Sequence, residues 1–207
     1  MYDEKPKTGG LFQTVTRAFC RVRIPILTIA LTYAVSVAVR MIMVHAGNTI
    51  ALNTRDQIVS GAQSGPILTA LNQNNRLLAG LLDFVGNLFG AVSTTIAGLG
   101  VVFIYPIVAY RGWIGGIVSI DGAHLSRLAD AREAAYYLIT LVLQLVPYSI
   151  SGGAGVNMGL AYLKPKSCYQ GNQWLGIPAE AVRDVLRIYL VAAPLFLLAS
   201  LWEFFER

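Results

Sequence analysis

The sequence predicts an all-α membrane protein, a polytopic bundle of about five transmembrane helices. Charged residues make up 13% of the 207-residue chain and hydrophobic residues 55%, whereas soluble domains carry about 25% charged residues. The apolar residues fall in long runs with at most two charges each, at 24–46, 77–120, 134–163 and 188–202. Runs of about 20 apolar residues match the thickness of a bilayer core.

The 23 residues before the first apolar run are basic and amphipathic. Four apolar side chains recur there at helical spacing, Leu11, Val15, Phe19 and Val22. This pattern is typical of a helix in the membrane interface, and basic flanks mark the cytoplasmic side of a span. We therefore expect residues 1–23 to be a cytoplasmic amphipathic segment. Residues 24–207 would form one transmembrane domain in the inner (cytoplasmic) membrane of a prokaryote, in contact with membrane lipid.

The apolar run from 77 to 120 is too long for one span. As a helix it would be about 66 Å long at 1.5 Å per residue, over twice the ~30 Å of a hydrocarbon core. A hairpin fits better, and residues 90–95 (GAVSTT) are its predicted break. Five spans follow, with four or six as alternatives, at residues 24–46, 77–91, 95–118, 134–163 and 186–203.

The distribution of basic residues supports this orientation only in part. A cytoplasmic N-terminus and five spans place the connection 47–76 outside and the loop 164–185 inside. Three basic residues in the inner loop agree with this, Lys164, Lys166 and Arg183. Three others would lie near the outer face and disagree with it, Arg111, Arg127 and Arg132. The net charge of +5 needs no nucleic-acid partner, because basic span flanks account for most of it.

The fourth predicted span contains residues that weaken a helix, LVPYSISGGAGVNMG at 145–159. Pro147 removes a backbone donor and clashes with the preceding turn, and Gly152 and Gly153 lower helix propensity further. In lipid, any freed carbonyl has to be met by protein or water. We therefore expect a kinked or broken helix buried inside the bundle.

Glycines recur at four-residue spacing within the apolar runs. Such pairs let helix backbones approach closely in lipid. They favour a tightly packed bundle or a homo-oligomer. The three pairs are Gly86/Gly90, Gly112/Gly116 and Gly155/Gly159.

Two charged residues within the apolar runs are predicted to lie at the same depth in the membrane. Arg40 lies six residues before the outer end of the first span, and Asp83 lies six residues after the start of the second. Both would sit about 9 Å below the outer surface. Because an unpaired charge in the membrane is costly, the sequence predicts a structural ion pair. An ion or proton path and snorkelling are the alternatives.

The order of these features also resembles a known family. A basic amphipathic lead and one span precede an outer loop ending in Asn74-Asn75. A glycine-rich hairpin follows (GLLDFVGNLFG to YRGWIGGIVS), then a span with LVP and GxxxG, and an acidic aromatic tail (WEFFER). This order is similar to the stage II sporulation protein M family of integral membrane proteins. The resemblance implies a component of a membrane complex, since the founding member works in a complex that remodels the cell envelope during sporulation.

The chain departs from that family at one motif. Family members typically carry Pro-His-Gly followed by a Glu. Here Pro147 is present, but Tyr148 and Ser149 occupy the His-Gly positions and no acid follows in SISGGAG. The chain would be a divergent member, and a mechanism that uses this His and Glu is not carried over.

Catalytic, cofactor and metal sites are not predicted. His45 and His124 are solitary, without carboxylates at ligand spacing. Cys20 and Cys168 are too few for a metal or disulfide framework. The serines have no GxSxG context, so intramembrane catalysis is disfavoured.

Two functions therefore compete at the level of sequence. The first is a non-enzymatic integral membrane subunit or scaffold that packs against partner subunits or further copies of itself. The alternative is a small oligomeric permease or channel, motivated by the predicted helix break and by Arg40 and Asp83. Against it, the halves show no inverted repeat, and so short a chain would need oligomerisation to enclose a path.

Overall fold

The structure, a computed structural model, describes residues 10–62, 65–164, 169 and 172–205. Nearly all of this part of the chain is helical, which confirms the all-α prediction. The helices are α1 Leu11–His45, α2 Thr49–Ala62, α3 Pro66–Asn72, α4 Arg76–Gly98, α5 Ile104–Ile117, α6 Ala131–Leu163 and α7 Ala179–Phe205. A 3₁₀ turn at Arg127–Ala129 precedes α6. Strands β1 Gln173–Trp174 and β2 Ile177–Pro178 form a small antiparallel hairpin before α7.

Four of these helices are long and apolar enough to cross a membrane: α1, α4, α6 and α7. The chain is therefore a multi-pass membrane protein. The fifth predicted span corresponds to α5, which has 14 residues and a length of about 21 Å. That is shorter than a ~30 Å hydrocarbon core. The prediction of five spans is corrected to about four, with a short helix packed beside them.

The predicted hairpin break at 90–95 is wrong, because α4 continues through it. The hydroxyls of Thr94 and Thr95 donate to the carbonyl of Ala91 at 2.8 and 3.0 Å, so these polar side chains are satisfied within the helix. The turn falls after Gly98 instead. There Val101 adopts a φ of 53°. A β-branched residue rarely adopts this left-handed conformation, so the residues at this position do not indicate a turn.

Helix α1 includes the segment that was expected to lie in the interface. Residues 11–23 are its first turns and continue through Pro25 into the span without a break. Ala18 and Val22 are buried in the largest core cluster, which also contains Ile188 and Phe196 of α7. The 35-residue helix is about 52 Å long, so it extends beyond a hydrocarbon core.

Helix α6 is not interrupted at 145–159, so the alternative of a broken helix at Pro147, Gly152 and Gly153 is wrong, whereas the kink stays a prediction. The helix runs from Ala131 to Leu163 with Pro147 inside it. Serine hydroxyls reinforce the turns after the proline: Ser149 donates to the Leu145 carbonyl at 2.7 Å and Ser151 to the Pro147 carbonyl at 2.8 Å. Neighbouring helices bury residues 147–157 without interruption, and tertiary packing overrides the weak helix propensity of the segment.

Along the chain, helices α1, α4, α5, α6 and α7 alternate in direction, so α4 and α6 are parallel to each other. Contacts between Gly112 and Tyr33 and between Gly116 and Val37 make α5 parallel to α1. Hydrogen bonds from α7 to α4 and α6 show that α7 is antiparallel to both. The bundle thus has two ends. The Arg21 end holds the starts of α1, α5 and α7, and the Arg40 end holds the end of α1 and the starts of α4 and α6.

Glycines on α5 bring it against the backbone of α1. A Cβ added at Gly112 would lie 2.5 Å from the carbonyl oxygen of Tyr33, and one at Gly116 would lie 2.5 Å from that of Val37. Both distances are shorter than a Cβ tolerates. Only glycine allows this approach, which is the use of small residues common in membrane helices.

Glycines on α6 bring it equally close to α4. A Cβ at Gly159 would lie 2.6 Å from the carbonyl oxygen of Gly98, and Gly155 lies against the backbone of Thr95. On another face of α6, a Cβ at Gly153 would lie 2.6 Å from the side chain of Ile26 on α1. The middle of α6 is therefore in close contact with two helices at once.

The pair Gly86/Gly90 behaves differently. Nothing lies within 4 Å of a Cβ built on Gly86. Gly90 faces a side chain rather than a helix backbone, because the guanidinium of Arg111 occupies the space that its Cβ would take. This second glycine belongs to the site described next.

Candidate functional site: a polar cavity in the helical bundle

A cavity of about 280 Å³ lies between the long helices, from the middle of the bundle toward the Arg40 end. Its walls come from α1, α4, α5, α6 and α7. Most of the lining side chains carry a polar group, which is unusual for the interior of a membrane bundle. These are Tyr33, Asn87, Arg111, Tyr137, Thr140, Gln144, Tyr148 and Glu203.

A hydrogen-bonded chain of side chains forms one wall of the cavity. The Tyr148 hydroxyl donates to Asn87 Oδ1 at 2.7 Å. Asn87 Nδ2 donates to Asp83 Oδ2 at 2.8 Å, and the same carboxylate oxygen accepts from Ser200 Oγ at 2.7 Å. The chain crosses from α6 through α4 to α7, so it fixes the relative positions of three helices.

Arg111 is the cation of this cavity. Its guanidinium carbon lies 4.2 Å from the centre of the Tyr148 ring, and Gly90 leaves room for it on α4. Within the described ranges, no carboxylate oxygen lies within 4 Å of the Arg111 side chain. A cation–π contact offsets only part of the cost of a charge in the membrane. The guanidinium therefore has donors for a carboxylate or phosphate, in a cavity that the acidic Glu203 of α7 also lines.

Tyr148 and Tyr137 are held rigidly beside it. The Tyr148 ring packs edge-on against Phe196, with centroids 4.8 Å apart. The Tyr137 hydroxyl donates to the Gly115 carbonyl at 3.1 Å. Because these contacts fix the aromatic walls, the cavity is preformed, as most small-molecule sites are.

A second polar cluster lies at the Arg21 end and has its charges paired. Asp184, only 1% exposed, accepts from Arg21 at 2.5 and 2.6 Å and from Arg187 at 2.9 Å. The Tyr169 hydroxyl donates to Asp184 at 3.0 Å and accepts from Asn157 at 2.6 Å. This cluster connects α1, α6 and α7 and is a structural clamp.

The pKa of Tyr169 agrees with that role. Burial, followed by the negative charge of Asp184, raises the pKa of the Tyr169 hydroxyl to about 12. The hydroxyl therefore keeps its proton at physiological pH and serves as a donor to Asp184.

The predicted ion pair between Arg40 and Asp83 is not formed. Asp83 is bonded to Asn87 and Ser200, whereas Arg40 donates to the Ala51 carbonyl at 3.2 Å. Equal depth does not place two residues on facing surfaces. Helix α4 packs against α6 and α7, while α1 packs mainly against α5 and α6.

The remaining candidate residues lie apart from the cavity. His45 lies 2.8 Å from the hydroxyl of Ser126, and His124 lies 3.0 Å from the carboxylate of Asp56. Cys20 is an exposed free thiol, and Cys168 lies outside the described residues. Among the residues that the structure describes, no group of three His, Cys, Asp or Glu side chains could hold a metal ion.

Sequence reasoning missed most of this site. Arg111 was recognised as a charge in an apolar run but was placed near the outer face, and Asn87 was not singled out. One signal was present in the sequence. Tyr148 stands where the resembled family has its His, so the residue that replaces the motif also lines the cavity.

The fold and the cavity together define a polytopic α-helical membrane protein with a polar interior site. Comparison with protein-family models, curated proteins and solved structures finds no match to this chain.

Proposed function

We propose that this protein is a non-enzymatic membrane protein of the permease or channel class, which takes a small solute with a carboxylate or phosphate group into its cavity. One observation carries the proposal: the Arg111 guanidinium lines a polar cavity and has no carboxylate within 4 Å in the described part of the chain. An ionisable residue inside a membrane bundle is by default a candidate for a functional site.

The size and chemistry of the cavity suit a small polar ligand. Its volume of about 280 Å³ equals roughly nine waters at about 30 Å³ each, which is at the lower limit for small-molecule pockets. Arg111 supplies the donors for an anionic group, and Gln144 and Thr140 supply neutral hydrogen-bonding groups on α6. A single chain lines this half-open space, and a path through the membrane would still need an oligomer.

A subunit or scaffold in a membrane complex is the second candidate, and the glycine contacts favour it. Gly112 and Gly116 hold α5 against α1, and Gly155 and Gly159 hold α6 against α4. Transporters move one helix bundle against another, which backbone contacts of this kind resist. The resemblance to the stage II sporulation protein M family supports the same candidate, with other membrane subunits or further copies of this chain as partners.

We place the protein in the prokaryotic cytoplasmic membrane with the N-terminus in the cytoplasm. The Arg21 end carries basic residues from three helices, among them Arg17, Lys164 and Arg183, as the positive-inside rule requires. Arg111 no longer counts against this orientation, because it lies inside the bundle, whereas Arg127 and Arg132 at the Arg40 end still do.

Ligand binding to purified protein tests the proposal. We expect one or more small carboxylates or phosphates from a panel to raise the melting temperature in mild detergent, and Arg111→Gln to weaken their binding at least tenfold. Arg132→Gln is the matched control, because Arg132 is exposed at the start of α6. Liposomes containing the wild type should show flux of the same ligand.

The opposite result separates the two candidates. If no ligand stabilises the wild type and the protein purifies with stable heteromeric partners, the subunit is supported and the permease is refuted. Equal binding by the wild type and Arg111→Gln would also refute a cavity site.

A further inference from the structure

Arg40 is a buried cation with most of its hydrogen-bonding capacity unused. It is 1% exposed. Its Nη2 donates to the Ala51 carbonyl at 3.2 Å, and its guanidinium carbon lies 4.5 Å from the centre of the Trp113 ring. Its Nε and Nη1 atoms have no hydrogen-bond partner among the described residues. No carboxylate oxygen from these residues lies within 4 Å of it.

Such an arrangement is costly unless something else neutralises the charge. An isolated buried guanidinium loses its hydration, and each unsatisfied donor adds its own desolvation cost. Buried charges in proteins are paired or bind a ligand. The expected partner, Asp83, is bonded elsewhere, so the missing countercharge has to come from outside the described chain.

A narrow cavity of about 130 Å³ lies beside Arg40, between α2 and α5. Apart from Arg40, its walls are almost entirely apolar, and they include Ile58, Ile114 and Ile117. Two lining residues are exposed on the surface of the bundle, Ile50 at 68% and Trp113 at 44%. In a membrane protein, an exposed apolar surface of this kind faces lipid.

We propose that this cavity is a binding site for one anionic phospholipid. Its phosphate would pair with the charge of the Arg40 guanidinium, and its acyl chains would stay in the bilayer beside the exposed Ile50 and Trp113. The volume equals roughly four waters, so the cavity holds only the phosphate while the rest of the lipid stays in the bilayer.

Two observations favour a lipid over a free anion. A phosphate in this apolar cavity loses its hydration whatever its source, but a lipid also places its acyl chains against the exposed Ile50 and Trp113, which a free anion cannot do. Arg40 also lies five residues before α1 ends at His45, about 8 Å along the helix axis, which is close to head-group depth.

Lipid titration of the purified protein tests this site, and neither result depends on the cavity at Arg111. We expect phosphatidylglycerol to bind at least tenfold more tightly than phosphatidylcholine by native mass spectrometry. At about 100 times its Kd, phosphatidylglycerol should raise the melting temperature by about 5–10 °C. Arg40→Gln should remove the preference between the two lipids, and the exposed Arg132→Gln should keep it.

A second variant decides the matter if Arg40→Gln does not fold. Thr54→Trp fills the cavity from α2 and leaves the charge of Arg40 in place, so it should also lose the tenfold preference. The same preference in Thr54→Trp as in the wild type would overturn the proposal. Inorganic phosphate that stabilises the wild type as much as phosphatidylglycerol would also overturn it, because the site would then hold a free anion.

Discussion

The two halves of α6 are packed in different ways. Toward the Arg21 end, residues 147–157 are buried without interruption, and Gly153 and Gly155 place the helix against α1 and α4. Toward the Arg40 end, residues 131–146 include Tyr136 and Tyr137, and most of them are exposed or partly exposed. The same helix therefore contacts backbones in one half and borders a cavity in the other.

This difference shows how residue size sets helix spacing in a bundle. Where glycines meet, the backbones approach until no space remains. Where tyrosines and Arg111 stand between helices, the backbones are held apart and polar space remains between them. In this chain the residues that were expected to break α6 instead allow it to pack tightly against α1 and α4 in one half of the bundle.

The buried carboxylates differ in the same way between the two ends. Asp184 at the Arg21 end binds Arg21 and Arg187. Among the described residues, Asp83 toward the Arg40 end has only the neutral donors Asn87 and Ser200. The first carboxylate compensates two cations, while the second holds a hydrogen-bonded chain in place.

Exchanging each carboxylate for an amide should therefore have unequal effects. We expect Asp184→Asn to lower the free energy of unfolding by about 2–4 kcal/mol, somewhat less than the 3–5 kcal/mol typical of a fully buried pair, because its arginine partners are partly exposed. Asp83→Asn should cost about 1 kcal/mol or less, because an amide oxygen still accepts from Ser200. Unfolding by sodium dodecyl sulfate in mild detergent measures both, and equal losses would contradict the distinction.

Two glycine-to-alanine variants sharpen the comparison of the two halves. Gly155→Ala should lower stability by about 1–3 kcal/mol, because its Cβ would overlap the backbone of Thr95. Gly86→Ala, with open space around it, should be neutral or stabilise the helix by up to about 1 kcal/mol. The same unfolding titration applies, and a stable Gly155→Ala protein would show that the helices can separate there.

The features that the sequence predicted well are those that composition controls. The membrane class and the close-packing glycines on α5 and α6 follow from run length and residue size, and both are local properties. The position of the turn after α4 was missed, because Val101 adopts a positive φ that only its tertiary surroundings can impose. Pro147 was overinterpreted for a related reason, since packing on several sides holds α6 continuous.

The candidate site was harder to predict than the fold. A single sequence gives the depth of a charge along a helix but not the face it shares with a neighbour. Arg40 and Asp83 match in depth and still face different helices, and Arg111 reaches Tyr148 only because Gly90 leaves the space. These contacts depend on which helices are neighbours in the bundle, and that arrangement depends on the packing of all the helices.

A double-mutant cycle on Arg40 and Asp83 measures that lateral separation. The two residues share no partner, so the stability losses of Arg40→Leu and Asp83→Leu should add within about 0.5 kcal/mol. A recovery of stability in the double variant would show that the two charges pair after all. Asp83→Leu combined with Ser200→Ala is the positive control, because these two side chains are hydrogen-bonded and should be coupled.

The smallest expected effect is a pH dependence at the Arg40 end, outside the membrane spans. Asp56 on α2 lies 2.9 Å from Arg55 and 3.0 Å from His124 of the loop before α6. The hydrogen bond from Arg55, followed by that with His124, holds the pKa of the Asp56 carboxyl below its usual value of 3.8. A carboxylate whose pKa is lower in the folded state contributes stability above its unfolded pKa and loses it as the pH falls through the folded pKa.

The difference in melting temperature between the wild type and Asp56→Asn should therefore be constant from pH 7 to about 5 and shrink below pH 4. Asp121, whose pKa is also lowered, is present in both proteins and cancels in the difference. A difference that grows as the pH falls would show that His124, and not the carboxylate, controls this contact.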